Sequence, residues 1–180
     1  MGRENGEMVP FRPMKKKLEE ISITDTLTKI FNRLYLDRNY EYESKRAKRY
    51  RKNLSIILID IDLFKSINDT FGHSIGDEVL IEISMILKQN LRVIDKLGRW
   101  GGEEFLIICP ETNVENTEIL AENLRSIIEK HLFSSVGKVT CSFGVTKYYS
   151  DDKKDEAFIR ADKALYSAKE QGRNKVIVNY

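Results

Sequence analysis

Apolar positions along the chain follow two different periods. Residues 54–61 form a nearly unbroken apolar run in which Ile56, Ile57, Ile59 and Ile61 are β-branched, as expected of a strand covered on both faces. Elsewhere the spacing is helical. Met14, Leu18 and Ile21 predict a short helix leading into the domain, and Leu27, Ile30, Phe31, Leu34 and Tyr35 predict a second one. Thr24 or Asp25 is positioned to cap that second helix, which runs on to a basic segment. Val79, Leu80, Ile83, Ile86 and Leu87 form the stripe of a helix over 77–91, after a turn region holding Gly72 and Gly76. A hairpin follows, with strands at 96–100 and 103–109 joined by Gly101-Gly102. Residues 117–131 predict a helix and 138–148 a strand. Residues 157–170 predict a helix with Ala161, Ala164, Leu165 and Ala168 facing inward, and 175–178 a closing strand.

The order β-α-β-β-α-β, with a terminal helix and strand, is that of an α+β fold. It predicts a ferredoxin-like, palm-like βαββαβ core, with a mostly antiparallel sheet and helices on one side. Residues 1–13 contain Gly2, Gly6, Pro10 and Pro13 and no periodicity, so residues 1–20 read as a linker and connecting helix, and 21–180 as one domain.

Composition narrows the class. The chain has 180 residues, enough for a single core, and no apolar run reaches the roughly 18 residues of a membrane helix. Its first twenty residues lack the apolar stretch of a secretory signal, so a cytoplasmic location with no membrane segment is expected. Cys109 and Cys141 lie in apolar strands without metal-ligand spacing, and a reduced, buried, structural role is expected. Lys45, Arg46, Lys48, Arg49, Arg51 and Lys52 form a basic run, but no nucleic-acid motif accompanies it. It reads as a solvated helix end carrying favourable charge, and no nucleic-acid partner is expected.

The acids are placed less ordinarily. Asp60 and Asp62 end the first strand, two apart, and share a face if the strand persists. Glu103 and Glu104 follow the Gly-Gly turn. Four carboxylates gathered at one sheet edge repel unless a cation compensates, and oxygen-only ligands favour a hard ion such as Mg²⁺. Lys65 follows the acidic strand end. Lys169 and Arg173, four apart, read as sharing one helix face, a combination suited to a triphosphate. Gly72-His73 and Gly76 mark a turn before a helix N-terminus, where phosphate can sit. These residues point to a metal-nucleotide enzyme without specifying the reaction.

Arg99-Trp100-Gly101-Gly102-Glu103-Glu104-Phe105 resembles the signature of the GGDEF family in its Glu-for-Asp form. Four further stretches match in order. Asp25-Thr26-Leu27-Thr28 with Asn32-Arg33 resembles the entry motif, although Lys29-Ile30 stands where Gly-Leu is common. The metal and substrate block is matched by Asp60-Ile61-Asp62-Leu63-Phe64-Lys65 with Asn68-Asp69, Gly72-His73 and Gly76-Asp77. Ser142-Phe143-Gly144-Val145 resembles the fourth-strand motif. Ala161-Asp162-Lys163-Ala164-Leu165-Tyr166 with Ala168-Lys169 and Gly172-Arg173-Asn174 is similar to the last helix.

The resemblance implies a diguanylate cyclase that condenses two GTP into cyclic di-GMP, releases two pyrophosphates and works as a homodimer. It implies that Asp60, the Ile61 carbonyl and Glu103, with Glu104 as a further ligand, hold Mg²⁺, or Mn²⁺ as an alternative ion. Glu103 also helps deprotonate the ribose 3′-hydroxyl. Lys65, Lys169 and Arg173 bind phosphates; Asn68 and Asp77 read guanine, with His73 nearby and Phe64 and Leu80 lining the base pocket. Arg92 and Asp95, six residues before Gly101, resemble the family's inhibitory site for the product. The competing expectation is a degenerate module that binds GTP or cyclic di-GMP without catalysis. Degenerate members typically lose signature acids, and none is lost here.

Overall fold

The computed structural model describes residues 23–180, so the linker and connecting helix expected over residues 1–20 lie outside the described residues. The elements are α1 (Arg33–Tyr50), β1 (Leu54–Ile61), α2 (Phe64–Phe71), α3 (His73–Gln89), β2 (Lys96–Gly101), β3 (Glu104–Pro110), α4 (Val114–Lys130), β4 (Cys141–Lys147), α5 (Glu156–Glu170) and β5 (Val176–Val178).

The five strands form one sheet in the order β2-β3-β1-β4-β5. All pairings are antiparallel except β4 with β5. Every residue of β1 is buried, as its unbroken apolar run requires. Ile57, Ile59 and Ile61 enter one cluster with Val79, Leu80, Ile83 and Leu87 of α3 and Ala121, Leu124 and Ile128 of α4. Leu54, Ile56 and Leu58 enter the other with Leu36, Tyr40 and Ala47 of α1 and Ala157, Ala161 and Leu165 of α5. Helices therefore cover both faces of the sheet, which corrects the expected one-sided arrangement. The apolar run in β1 is the reason: neither of its faces can be left to water. Gly144 lets α5 lie close, since a Cβ there would sit 2.1 Å from the Ala161 carbonyl oxygen.

Two local expectations also change. The helix expected to be capped by Thr24 or Asp25 starts instead at Arg33. Asp25 closes a turn instead, its Oδ1 accepting from the Thr28 amide (2.9 Å) and the Thr28 hydroxyl (2.7 Å). Lys29, at φ +60°, then breaks the run, and Asn32 caps α1 through the Tyr35 amide. A side chain that satisfies backbone groups locally competes with helix continuation. Leu34, expected on the inner face, is exposed, and the buried stripe is Leu36, Tyr40, Glu43 and Ala47. The second change is in the stretch before Asp77, expected as a turn region holding Gly72 and Gly76. It holds α2 and the first turn of α3, separated by Gly72 alone at φ +86°.

The basic run behaves as expected of a helix end. Lys48 and Arg49 occupy the last turn of α1, and Arg46 pairs with Glu43 and Glu111. Cys109 and Cys141 are free and fully buried. No helix among the described residues is long and apolar enough to cross a membrane.

Candidate active site

Strand register gathers the acidic groups. Asp60 lies opposite Glu104 on β3 and Ser142 on β4, and the turn between β2 and β3 is formed by Gly102 and Glu103. Asp60 is 6% exposed, and its Oδ2 lies 2.8 Å from the Lys169 Nζ of α5. Burial pushes the Asp60 carboxyl up to about 6, against the pull of Lys169; Glu103 and Glu104 add repulsion that pushes the same way. The Glu104 carboxyl is likewise held above its ordinary value, first by burial.

Asp62, however, does not join this group. Its carboxylate accepts from the Thr140 hydroxyl (2.7 Å), the Ser142 hydroxyl (2.7 Å) and the Asn174 amide (3.0 Å). It is a structural tie rather than a fourth converging acid, because β1 ends at Ile61 and the expected alternation does not persist. Among the described residues no three His, Cys, Asp or Glu side chains form a ready metal cage. Lys169 supplies the compensating charge at Asp60.

Beside the acids lies a cleft of about 540 Å³ bounded by α2, α3 and the β2–β3 turn. Phe64, Lys65, Asn68, His73, Asp77, Leu80 and Glu103 all line it, so seven expected site residues meet in one cavity. The tight α2–α3 junction sets their spacing. Gly76 packs directly beneath Asn68, whose Oδ1 would be 1.9 Å from an added Cβ. Asp77 is the fifth residue of α3, whose N-cap is Gly72, so Asp77 is not a helix cap.

Arg173 is brought to the same end of the sheet by a different route from the one expected. The helix stops at Glu170, and Arg173 sits beyond it at φ +64°, so the two cations do not share a helix face. Arg99, quoted in the sequence only as part of the motif, lines the cleft and was given no role by sequence reasoning. Arg99 donates from Nε to the Gly102 carbonyl (2.9 Å) and faces Asp25 across 3.4 Å, bracing the β2–β3 turn against the segment before α1. Arg99 immediately precedes Trp100 and the glycine pair, and that adjacency was the available signal.

Arg92 and Asp95 line a separate cavity of about 430 Å³. The Arg92 guanidinium donates to both Asp95 oxygens, at 2.7 and 3.1 Å, and to the Thr112 hydroxyl at 2.6 Å. The Asp95 side chain is almost wholly buried, whereas half of the Arg92 side chain is exposed.

Comparison with known proteins agrees with this fold. The family described as "Diguanylate cyclase, GGDEF domain" matches residues 22–175. The response regulator PleD of Caulobacter vibrioides is 42% identical over 164 residues, which are 88% of this chain and 36% of that protein. The active GGEEF domain of a diguanylate cyclase from Vibrio cholerae is 38% identical with a TM-score of 0.79, covering 83% of this chain and 97% of that one. The coiled coil and GGDEF domain of DgcB from Caulobacter crescentus, in complex with c-di-GMP, has a TM-score of 0.88 at 26% identity, covering 93% and 91%. The chain spans between 24% and 46% of the curated relatives' own lengths.

The raised Asp60 value carries a pH signature. Between about pH 4 and pH 6 the folded chain retains a proton that the unfolded chain has released, and above pH 6 it bears the full cost of the buried charge. Asp60→Asn should therefore stabilise the fold at pH 8 by about 1–2 kcal/mol after allowing for solvent screening, read as a higher thermal midpoint. The gain should shrink through pH 6 and vanish below about pH 4. An equal or lower midpoint at pH 8 contradicts this.

Proposed function

Because the chain belongs to the GGDEF-domain family of diguanylate cyclases, we propose that it condenses two GTP into cyclic di-GMP, with release of two pyrophosphates, as a homodimer. The observation that carries this reading is the meeting of a base-sized cleft with a buried acid and its paired lysine at one sheet end. Residues 21–180 form the catalytic domain in this reading.

Guanine enters the cleft between Phe64 and Leu80, with His73 nearby. The Asp77 carboxylate accepts from guanine N1–H and the exocyclic amine, and Asn68 completes the edge. Lys65, Lys169 and Arg173 take the triphosphate. Glu103, on the turn, accepts the 3′-hydroxyl proton as that oxygen attacks the α-phosphate of the GTP on the facing chain. The facing chain is needed because each domain holds one GTP.

The donor set fits Mg²⁺, with Mn²⁺ as an alternative. Asp60, the Ile61 carbonyl, Glu103 and Glu104 are hard oxygen ligands, and Mg²⁺ usually takes one or two carboxylates with substrate phosphates and water rather than a full protein cage. That agrees with the lack of a ready cage among the described residues. The chemistry such an ion supplies is charge neutralisation on the triphosphate. Product inhibition is assigned to the cavity at Arg92, where Asp95 orients a guanidinium that can stack on guanine and meet phosphate.

Incubation with GTP and Mg²⁺ should yield a cyclic dinucleotide, and Glu103→Gln should abolish it while leaving the unfolding transition in place. Near-normal turnover in that variant removes Glu103 from the reaction.

Base selection is a separate test. Adenine presents an unprotonated N1 to Asp77, and each unpaired polar group costs about 1–3 kcal/mol. Asp77→Ser should lose much of the preference for GTP in a mixed GTP and ATP assay. Since Asp77 lies inside α3 and caps nothing, unchanged preference defeats the base-reading role directly.

A further inference from the structure

We infer that Asp62 and Asn174, with Arg125 and Glu129 of α4, form a bracket that positions Arg173, making Asp62 and Asn174 positioning residues for triphosphate binding. This rests on the phosphate role proposed above for Arg173.

The turn after α5 is unusual in its backbone. Gly172, Arg173 and Asn174 follow one another at φ +104°, +64° and +48°. Left-handed backbone is disfavoured for residues with a Cβ, so two in succession persist only where the surroundings hold them. Asn174 is held from two sides. Its amide N–H donates to Asp62 Oδ2 at 3.0 Å. Its side chain donates to Glu129 Oε1 at 2.7 Å and accepts from Arg125 Nη1 at 2.9 Å. Arg125 is itself fixed by Glu122 and Glu129.

Asp62 is anchored just as firmly. It is 6% exposed, takes the Thr140 and Ser142 hydroxyls, and donates its own amide to the Thr140 carbonyl at 2.9 Å. The bracket thus joins the end of β1, the approach to β4, α4 and the turn after α5. Arg173 is threaded between fixed points, its own amide donating to the Ala168 carbonyl at 3.0 Å while its side chain is exposed. Two residues before Asp62, at the end of β1, is Asp60, which holds Lys169. One strand end therefore places both cations: Lys169 by direct pairing, Arg173 through Asn174.

A merely structural tie predicts lower stability without a change in ligand preference. A positioning role predicts a loss confined to ligands with a triphosphate and dependent on Arg173. The test uses 3′-deoxy-GTP, which lacks the attacking hydroxyl, and GMP, which shares the base but not the tail. Asn174→Ala should weaken 3′-deoxy-GTP binding about 5–10-fold and leave GMP unchanged. In an Arg173→Ala background it should add nothing, the coupling expected of residues acting through one another. Glu129→Ala, at a half-exposed helix position, should give a smaller loss in the same sense and serves if the first variant does not fold.

Equal losses for GMP and 3′-deoxy-GTP, or full additivity with Arg173→Ala, overturn the bracket. So does normal 3′-deoxy-GTP binding by Asn174→Ala when Arg173→Ala is impaired. If Arg173→Ala itself binds 3′-deoxy-GTP normally, the phosphate role of Arg173 fails and the bracket fails with it.

Discussion

The pairing of β1 with both β3 and β4 is the constraint on which the other features depend. Asp60 stands opposite Glu104 on one side and Ser142 on the other, so a one-residue slip of β1 would move Asp60 to the wrong face, away from Lys169. Such a slip is resisted by burial: Ile57, Ile59 and Ile61 would exchange places with Leu58 and Asp60 between two differently shaped helical layers. Hydrophobic packing on both faces thus fixes the position of charged groups at one strand end.

Those charges are kept there at a cost that the protein meets locally. Asp60 is buried beside two other carboxylates, and Lys169 compensates only part of the resulting penalty, since its carboxyl still rises to about 6. A buried ion pair is weak evidence for stability, because desolvation can exceed the attraction. The arrangement makes better sense as a site ready to exchange partners. In the proposed reading, a triphosphate that draws Lys169 away would leave Asp60 an anion in need of a cation. Asp62, two residues on, has the opposite fate, with three donors satisfying its carboxylate.

Much of this was legible in the residues. The unbroken run at 54–61 and the Gly101-Gly102 turn located the sheet and the strand ends where Asp60, Glu103 and Glu104 stand. That run already implied coverage of both faces, and it overruled the one-sided layering suggested by element order. The helix before Gly72 was missed although Phe64, Ile67 and Phe71 keep helical spacing, because it is only eight residues long and Gly72 resembles a loop signal rather than a one-residue hinge. The start of α1 was missed for a related reason. Leu27, Ile30 and Phe31 keep helical spacing, but the Asp25 side chain satisfies the Thr28 amide and closes a turn. Strand alternation assigned Asp60 and Asp62 alike; the end of β1 at Ile61, hydroxyls some eighty residues away and the Asn174 amide separate them.

The central claim is that Asp60 becomes a metal ligand only when a triphosphate is bound. The most direct measurement is the affinity for 3′-deoxy-GTP with and without Mg²⁺, in the natural protein and in Asp60→Asn, with GMP as control. The account predicts that Mg²⁺ strengthens 3′-deoxy-GTP binding to the natural protein by about tenfold or more, a coupling of at least about 1.4 kcal/mol. It predicts little change for GMP and loss of the enhancement in Asp60→Asn. An undiminished Mg²⁺ enhancement in Asp60→Asn would contradict it.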